Sequence, residues 1–160
     1  MVWLSCQNWV FRLDKVRSMD YSAAEAADHC CCGYCNNFYA TVDASYPNLR
    51  TLLGDFGLDI EAPDMMIPLD TPTDCVLYYS VAGEIIQNHK RPIAVDNLTI
   101  FPQSDCPEFL NSSVDMPCFY LCVEGIRLPW AMRQQIEDIA SSANAPEFLE
   151  RTREALLSSN

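Results

Sequence analysis

At 160 residues the chain fits one domain, and 49% apolar against 20% charged residues gives it ample material to offset the entropy that keeps charge-dominated chains disordered. Ten basic and 22 acidic residues leave a net charge of −12, and between Ser18 and His89 the only cation is Arg50, against eleven Asp and Glu. Such a field repels phosphate backbones and excludes nucleic acid as a ligand, while it suits a cation or a basic protein partner.

The segment Trp3 to Asp14, with Trp9, Val10, Phe11 and Leu13, reads as a first strand. The Ser/Ala/Glu run Tyr21 to Ala27 predicts a short helix leading into a cysteine cluster. After Cys35 the apolar residues Phe38, Tyr39, Val42, Tyr46, Leu49, Leu53 and Phe56 fall mostly three or four apart, which places them on a helical face from Asn36 to Asp55. Pro47 cannot donate to that helix and suits a first turn, so the region divides into a helix to about Ser45 and a second from Pro47, with Gly54 and Gly57 supplying a stop.

Pro63, Pro68 and Pro72 exclude regular helix from Asp59 to Thr73, which is expected to be an ordered connector. Three runs rich in Val, Ile, Phe and Tyr follow: Cys75 to Gln87, Ile93 to Pro102 and Met116 to Leu128. Their links are too short for crossover helices, so with the first strand they predict an antiparallel sheet of about four or five strands. Beyond Pro129, Met132, Ile136, Ile139 and Ala143 share a face, and after Pro146 so do Phe148, Leu149, Ala155 and Leu156, which predicts two C-terminal helices. The expectation is an α+β fold in a single globular domain over 1–160.

No apolar run approaches the ~20 residues of a membrane span, and the start lacks the pattern of a secretory signal, so a cytoplasmic protein is expected. In that reducing compartment the nine cysteines are read as thiols. The densest group is His29-Cys30-Cys31-Cys32-Gly33-Tyr34-Cys35. Its Cys32-x-x-Cys35 lies just before a helix, where unpaired amides stabilise a thiolate, so Cys32 is a candidate redox or nucleophilic thiol and Cys35 its resolving partner. The same spacing offers soft ligands to one zinc through Cys30, Cys32 and Cys35, completed by another Cys or His. A knuckle held by packing alone is the plain alternative. Cys118-x-x-x-Cys122 is no second ligand pair, because strand residues four apart lie ~13 Å from each other.

The remaining inventory for catalysis is thin. There are two histidines, His29 and His89, and neither hydrolase, zincin nor phosphate-loop motifs, and a Cys32 or Cys35 pair with His89 is a minor option. Asp55, Asp59, Glu61 and Asp64 lack the register of a calcium loop and read as solvated carboxylates. His89-Lys90-Arg91 is too short for a phosphate-tracking stripe and reads as a solvated turn. Trp3, Trp9 and Trp130 read as core plugs, with a place in a protein interface as the alternative.

Asn36-Asn37-Phe38-Tyr39 after the cysteines, Gly57-Leu58-Asp59-Ile60, the Tyr78-Tyr79 strand ending at Gly83, and Leu128-Pro129-Trp130 together carry a resemblance covering most of the chain. The sequence resembles a family of small acidic Firmicutes proteins marked by Cys-x-x-Cys-x-Asn-Phe and Leu-Pro-Trp, a family without an assigned activity. That resemblance implies a bacterial α+β protein and supplies no mechanism; Cys30 and Cys31 are additions to its pattern. The expected function is binding of a basic protein partner by the acidic half from Asp20 to Glu84, without catalysis. The alternative is a thiol-based zinc-binding or redox protein using Cys32-x-x-Cys35.

Overall fold

A computed structural model of the chain describes residues 1–27, 30–88, 90–110 and 116–132. Among them the elements run β1 (Val2–Cys6), β2 (Trp9–Leu13), α1 (Lys15–Ala27), α2 (Gly33–Ser45), α3 (Pro47–Phe56), β3 (Met65–Pro68), β4 (Asp74–Gln87), β5 (Ile93–Val95), β6 (Leu98–Gln103) and β7 (Cys118–Arg127). The fold is α+β, with three helices and an antiparallel sheet, as expected. The sheet has seven strands rather than four or five, in the order β1-β2-β4-β7-β6-β5, with β3 also paired to β4. The two C-terminal helices expected after Pro129 fall on residues outside the described ones.

The extra strands have local causes. The first expected strand folds back on itself as the hairpin β1–β2, turning at Gln7, whose φ of 51° is left-handed. The run Ile93 to Pro102 does the same as β5–β6, turning at Asp96 with φ 53°. The third addition, β3, lies inside the proline-rich connector. Proline is tolerated at strand ends, and Pro68 is the last residue of β3.

Helices α2 and α3 divide at Pro47 as the sequence predicts, and α3 ends on Gly57 in the left-handed conformation (φ 84°). Gly54 stays inside α3. Helix α1 starts earlier than expected: Asp14 accepts the Arg17 N–H at 3.2 Å and so caps its first turn.

Alternation along β4 sorts its side chains onto two faces. Cys75, Leu77, Tyr79 and Val81 join Phe119, Leu121 and Val123 of β7 in a core that α2 and α3 cover with Phe38, Val42, Leu49, Leu53 and Phe56. Phe11 sits at its centre, 5.1 Å from the rings of both Phe56 and Phe119. Val76 and Tyr78 turn to the opposite face, where they meet Ile67, Leu110, Tyr120 and Cys122. Helix α1 uses small polar residues at its contacts: Ser18 Oγ accepts the Ala82 N–H of β4 at 3.0 Å, and Ser22 Oγ accepts the N–H of Asp59, after α3, at 3.0 Å. Gly83, with φ 143°, lies where a side chain would strike the Arg12 carbonyl of β2, so β4 passes from its partner β7 to β2 at a residue that only glycine suits.

Candidate thiol site at the start of the second helix

The chain enters α2 through Cys32, whose extended backbone (φ −71°, ψ 161°) places its sulfur where a capping oxygen usually sits. Cys32 Sγ accepts the Cys35 N–H at 3.4 Å, and Cys30 Sγ accepts the Cys32 N–H at 3.5 Å. The Sγ atoms of Cys30, Cys32 and Cys35 thereby lie within 4.8 Å of one another, with Cys30 and Cys32 exposed and Cys35 partly buried. Among the described residues this is the single group of three potential ligands of this kind, and it can hold a metal ion.

The two thiols of the Cys-x-x-Cys are driven apart in acidity. The Cys35 thiol donates to Cys32 and, against an opposing desolvation, brings Cys32 down to about 5 with help from the Cys35 amide, Cys30 and the Tyr34 amide. Cys35 is pushed up because its proton is held by Cys32 and because it is the more buried of the two. Around them stand two phenols. Tyr39 is raised to about 12 by burial and the nearby thiols, and it also hydrogen-bonds Cys35. Burial and the Cys32 charge raise Tyr34.

Two polar side chains, one at each end of α2, fix the helix to the end of β7 and the segment that follows it. The Asn37 amide, fully buried, donates to the Pro129 carbonyl at 3.0 Å and accepts the Ala131 N–H at 2.7 Å. At the corner between α2 and α3, the Tyr46 hydroxyl donates to the Arg127 carbonyl at 3.0 Å and accepts the Arg127 N–H at 2.8 Å. This clamp sets Trp130 edge-on to Tyr34, with ring centroids 6.4 Å apart. The Cys-x-x-Cys-x-Asn-Phe stretch and Leu128-Pro129-Trp130, 92 residues apart at Asn37 and Pro129, thus form one structure. Both stretches stand out in the sequence, but their contact is made by the paired amide groups of Asn37 and has no local signal in the chain.

The other candidates stay separate from this cluster. Cys118 and Cys122 lie on β7 and Cys75 on β4, and none joins the cluster. His29 and His89 lie outside the described residues. Lys90 and Arg91 are exposed at a turn, as expected. Trp9 is the core plug expected, with its indole N–H donating to the Arg91 carbonyl at 2.7 Å, whereas Trp3 is 66% exposed and plugs nothing.

The acidic loop splits. Asp55 and Asp59 are exposed, and Asp59 accepts the Glu61 N–H at 3.0 Å. Asp64 instead turns inward, against its reading as a solvated carboxylate, and accepts hydrogen bonds from Ser80 and Tyr21; burial raises it to about 6, with Glu25 adding to the rise. Compared with known proteins, the chain matches no family model, no curated protein and no solved structure.

Proposed function

We propose that this chain is a non-catalytic metal-binding protein whose Cys30, Cys32 and Cys35 thiolates hold one thiophilic ion, zinc in the first instance. The observation that carries the reading is the convergence of three sulfurs within 4.8 Å at the entrance of a helix. Zinc–thiolate bonds of about 2.3 Å in tetrahedral geometry set sulfurs ~3.8 Å apart, so closure needs a shift of roughly 1 Å, within reach of side-chain rotation. The described residues supply three of the four donors that a structural zinc takes. Tyr39 beside Cys35 is an outer-shell donor of the kind that orients a ligand. Two of the motifs through which the chain resembles the small Firmicutes family, Cys-x-x-Cys-x-Asn-Phe and Leu-Pro-Trp, lie in and against this site.

Protein prepared without chelator is expected to carry about one zinc per chain, and Cys30→Ser and Cys32→Ser each to lose it. Elemental analysis that finds no metal in the unmodified chain removes the reading.

A second reading, recruitment of a basic protein partner, is supported by exposed carboxylates at Asp20, Asp55 and Asp59. Arg50, the one Lys or Arg between Ser18 and His89, pairs with Asp43 at 3.0 Å. Association with such a partner, once captured, is expected to slow several-fold as the Debye length falls from ~10 Å at 0.1 M salt to ~3 Å at 1 M. A rate indifferent to salt counts against it.

A further inference from the structure

The three sulfurs of the cluster are not equivalent. Cys32 and Cys35 stand three residues apart across the first turn of α2, and the Cys35 amide already points at the Cys32 sulfur at 3.4 Å. On helical backbone such a pair has Cα atoms ~5 Å apart, inside the roughly 4.4–6.8 Å that a disulfide spans. Cys30 is separated from Cys32 by Cys31 alone and its sulfur accepts the Cys32 N–H at 3.5 Å, and a disulfide between cysteines with one residue between them closes a small ring that strains the bond geometry. Of the two exposed sulfurs, Cys32 is therefore the one with a partner in disulfide geometry. That partner, Cys35, is partly buried and less open to an incoming reagent.

We propose that the cluster is a thiol switch: a low-molecular-weight disulfide oxidises Cys32 and Cys35 to an intramolecular disulfide, leaves Cys30 as a thiol and expels the metal ion. The proposal rests on the metal-binding reading and adds its regulation. In the first step the Cys32 thiolate sulfur attacks one sulfur of the reagent, whose S–S bond breaks; one thiolate leaves and takes a proton from water. In the second, Cys35, as the thiolate the ion releases or, in metal-free protein, after giving its proton to solvent, attacks the Cys32 sulfur of the mixed disulfide, and the other half of the reagent leaves as a thiolate that takes a proton from water. The protein gives up two electrons, the reagent disulfide accepts them, and two small thiols are formed. The ion loses two of its three sulfur ligands at once, and a single thiolate does not retain it.

The test uses the full chain, loaded with zinc and separately zinc-free, exposed to oxidised glutathione. Zinc release is followed with a chromogenic chelator and the thiols are mapped by peptide mass spectrometry. The expected result is release of zinc in step with a Cys32–Cys35 disulfide and an alkylatable Cys30. In zinc-free protein Cys30→Ser is expected still to form the Cys32–Cys35 disulfide, and Cys35→Ser to stop at a glutathione adduct on Cys32. Stable glutathione on Cys30, a disulfide that includes Cys30, or zinc release without a Cys32–Cys35 bond overturns the switch. If the chain takes up no zinc, the metal-binding reading and the expulsion step both fail, while the mapping on zinc-free protein still decides the disulfide chemistry by itself.

Discussion

Cysteines at two places in this molecule behave in opposite ways. At the start of α2, Cys32 receives the Cys35 thiol and backbone amides, and its acidity rises until it ionises near pH 5. Within the sheet, burial pushes Cys75 up to about 12 and Cys122 up to about 11, although Tyr78 donates to the latter. The side chain is the same. The difference lies in whether donors face the sulfur before it ionises, as they do where a helix begins, or whether a strand has already spent its amides on its neighbours. A count of cysteines therefore says little about thiol chemistry, and their position relative to free amides says much.

The largest test of that contrast is alkylation of metal-free protein at pH 6. Cys32 is expected to react on the order of a thousandfold faster than Cys75 or Cys122, read by peptide mapping over time, and urea should erase the difference. Equal labelling in the folded chain breaks the comparison.

Asp64 extends the contrast to a carboxylate. Its folded value of about 6 stands above the ordinary 3.8, so the folded chain binds the proton more tightly than the unfolded one. The resulting stabilisation is fully present below about pH 3.8 and is lost as pH rises through about 6, a swing of ~3 kcal/mol. Urea midpoints between pH 4 and 7 are expected to show this slope, and Asp64→Asn to flatten it. An unchanged slope in the variant places the proton elsewhere.

Smaller effects come from what holds the thiol site in place. Asn37→Ala leaves the Pro129 carbonyl and the Ala131 amide without their partner, at a cost of ~2 kcal/mol, and should separate Trp130 from Tyr34, which tryptophan fluorescence reads directly. Tyr39→Phe removes the hydroxyl beside Cys35 and is expected to weaken zinc about tenfold in a chelator competition. A variant that binds zinc as tightly as the parent removes Tyr39 from the outer shell.

What the sequence by itself determined is local. Pro47 splits α2 from α3 because proline lacks an N–H, Gly57 ends α3 because only glycine enters the left-handed region without strain, and the Cys-x-x-Cys spacing places Cys32 and Cys35 on one helical turn. The long apolar runs of β4 and β7 were equally legible. The tight turns at Gln7 and Asp96 were not, since neither uses glycine and each is held from a distance: Gln7 pairs with both backbone groups of Ala94, and Asp96 accepts from Asn48 at 2.9 Å. Tertiary structure also decided that Asp64 points inward, through Ser80 and Tyr21, and that Asn37 fastens the Pro129–Ala131 segment beside the thiols. The division has one physical reason. Backbone propensity acts over a turn or a strand and can be read along the chain. The pairing of buried donors with acceptors joins residues far apart in sequence and takes shape only when the core brings them together.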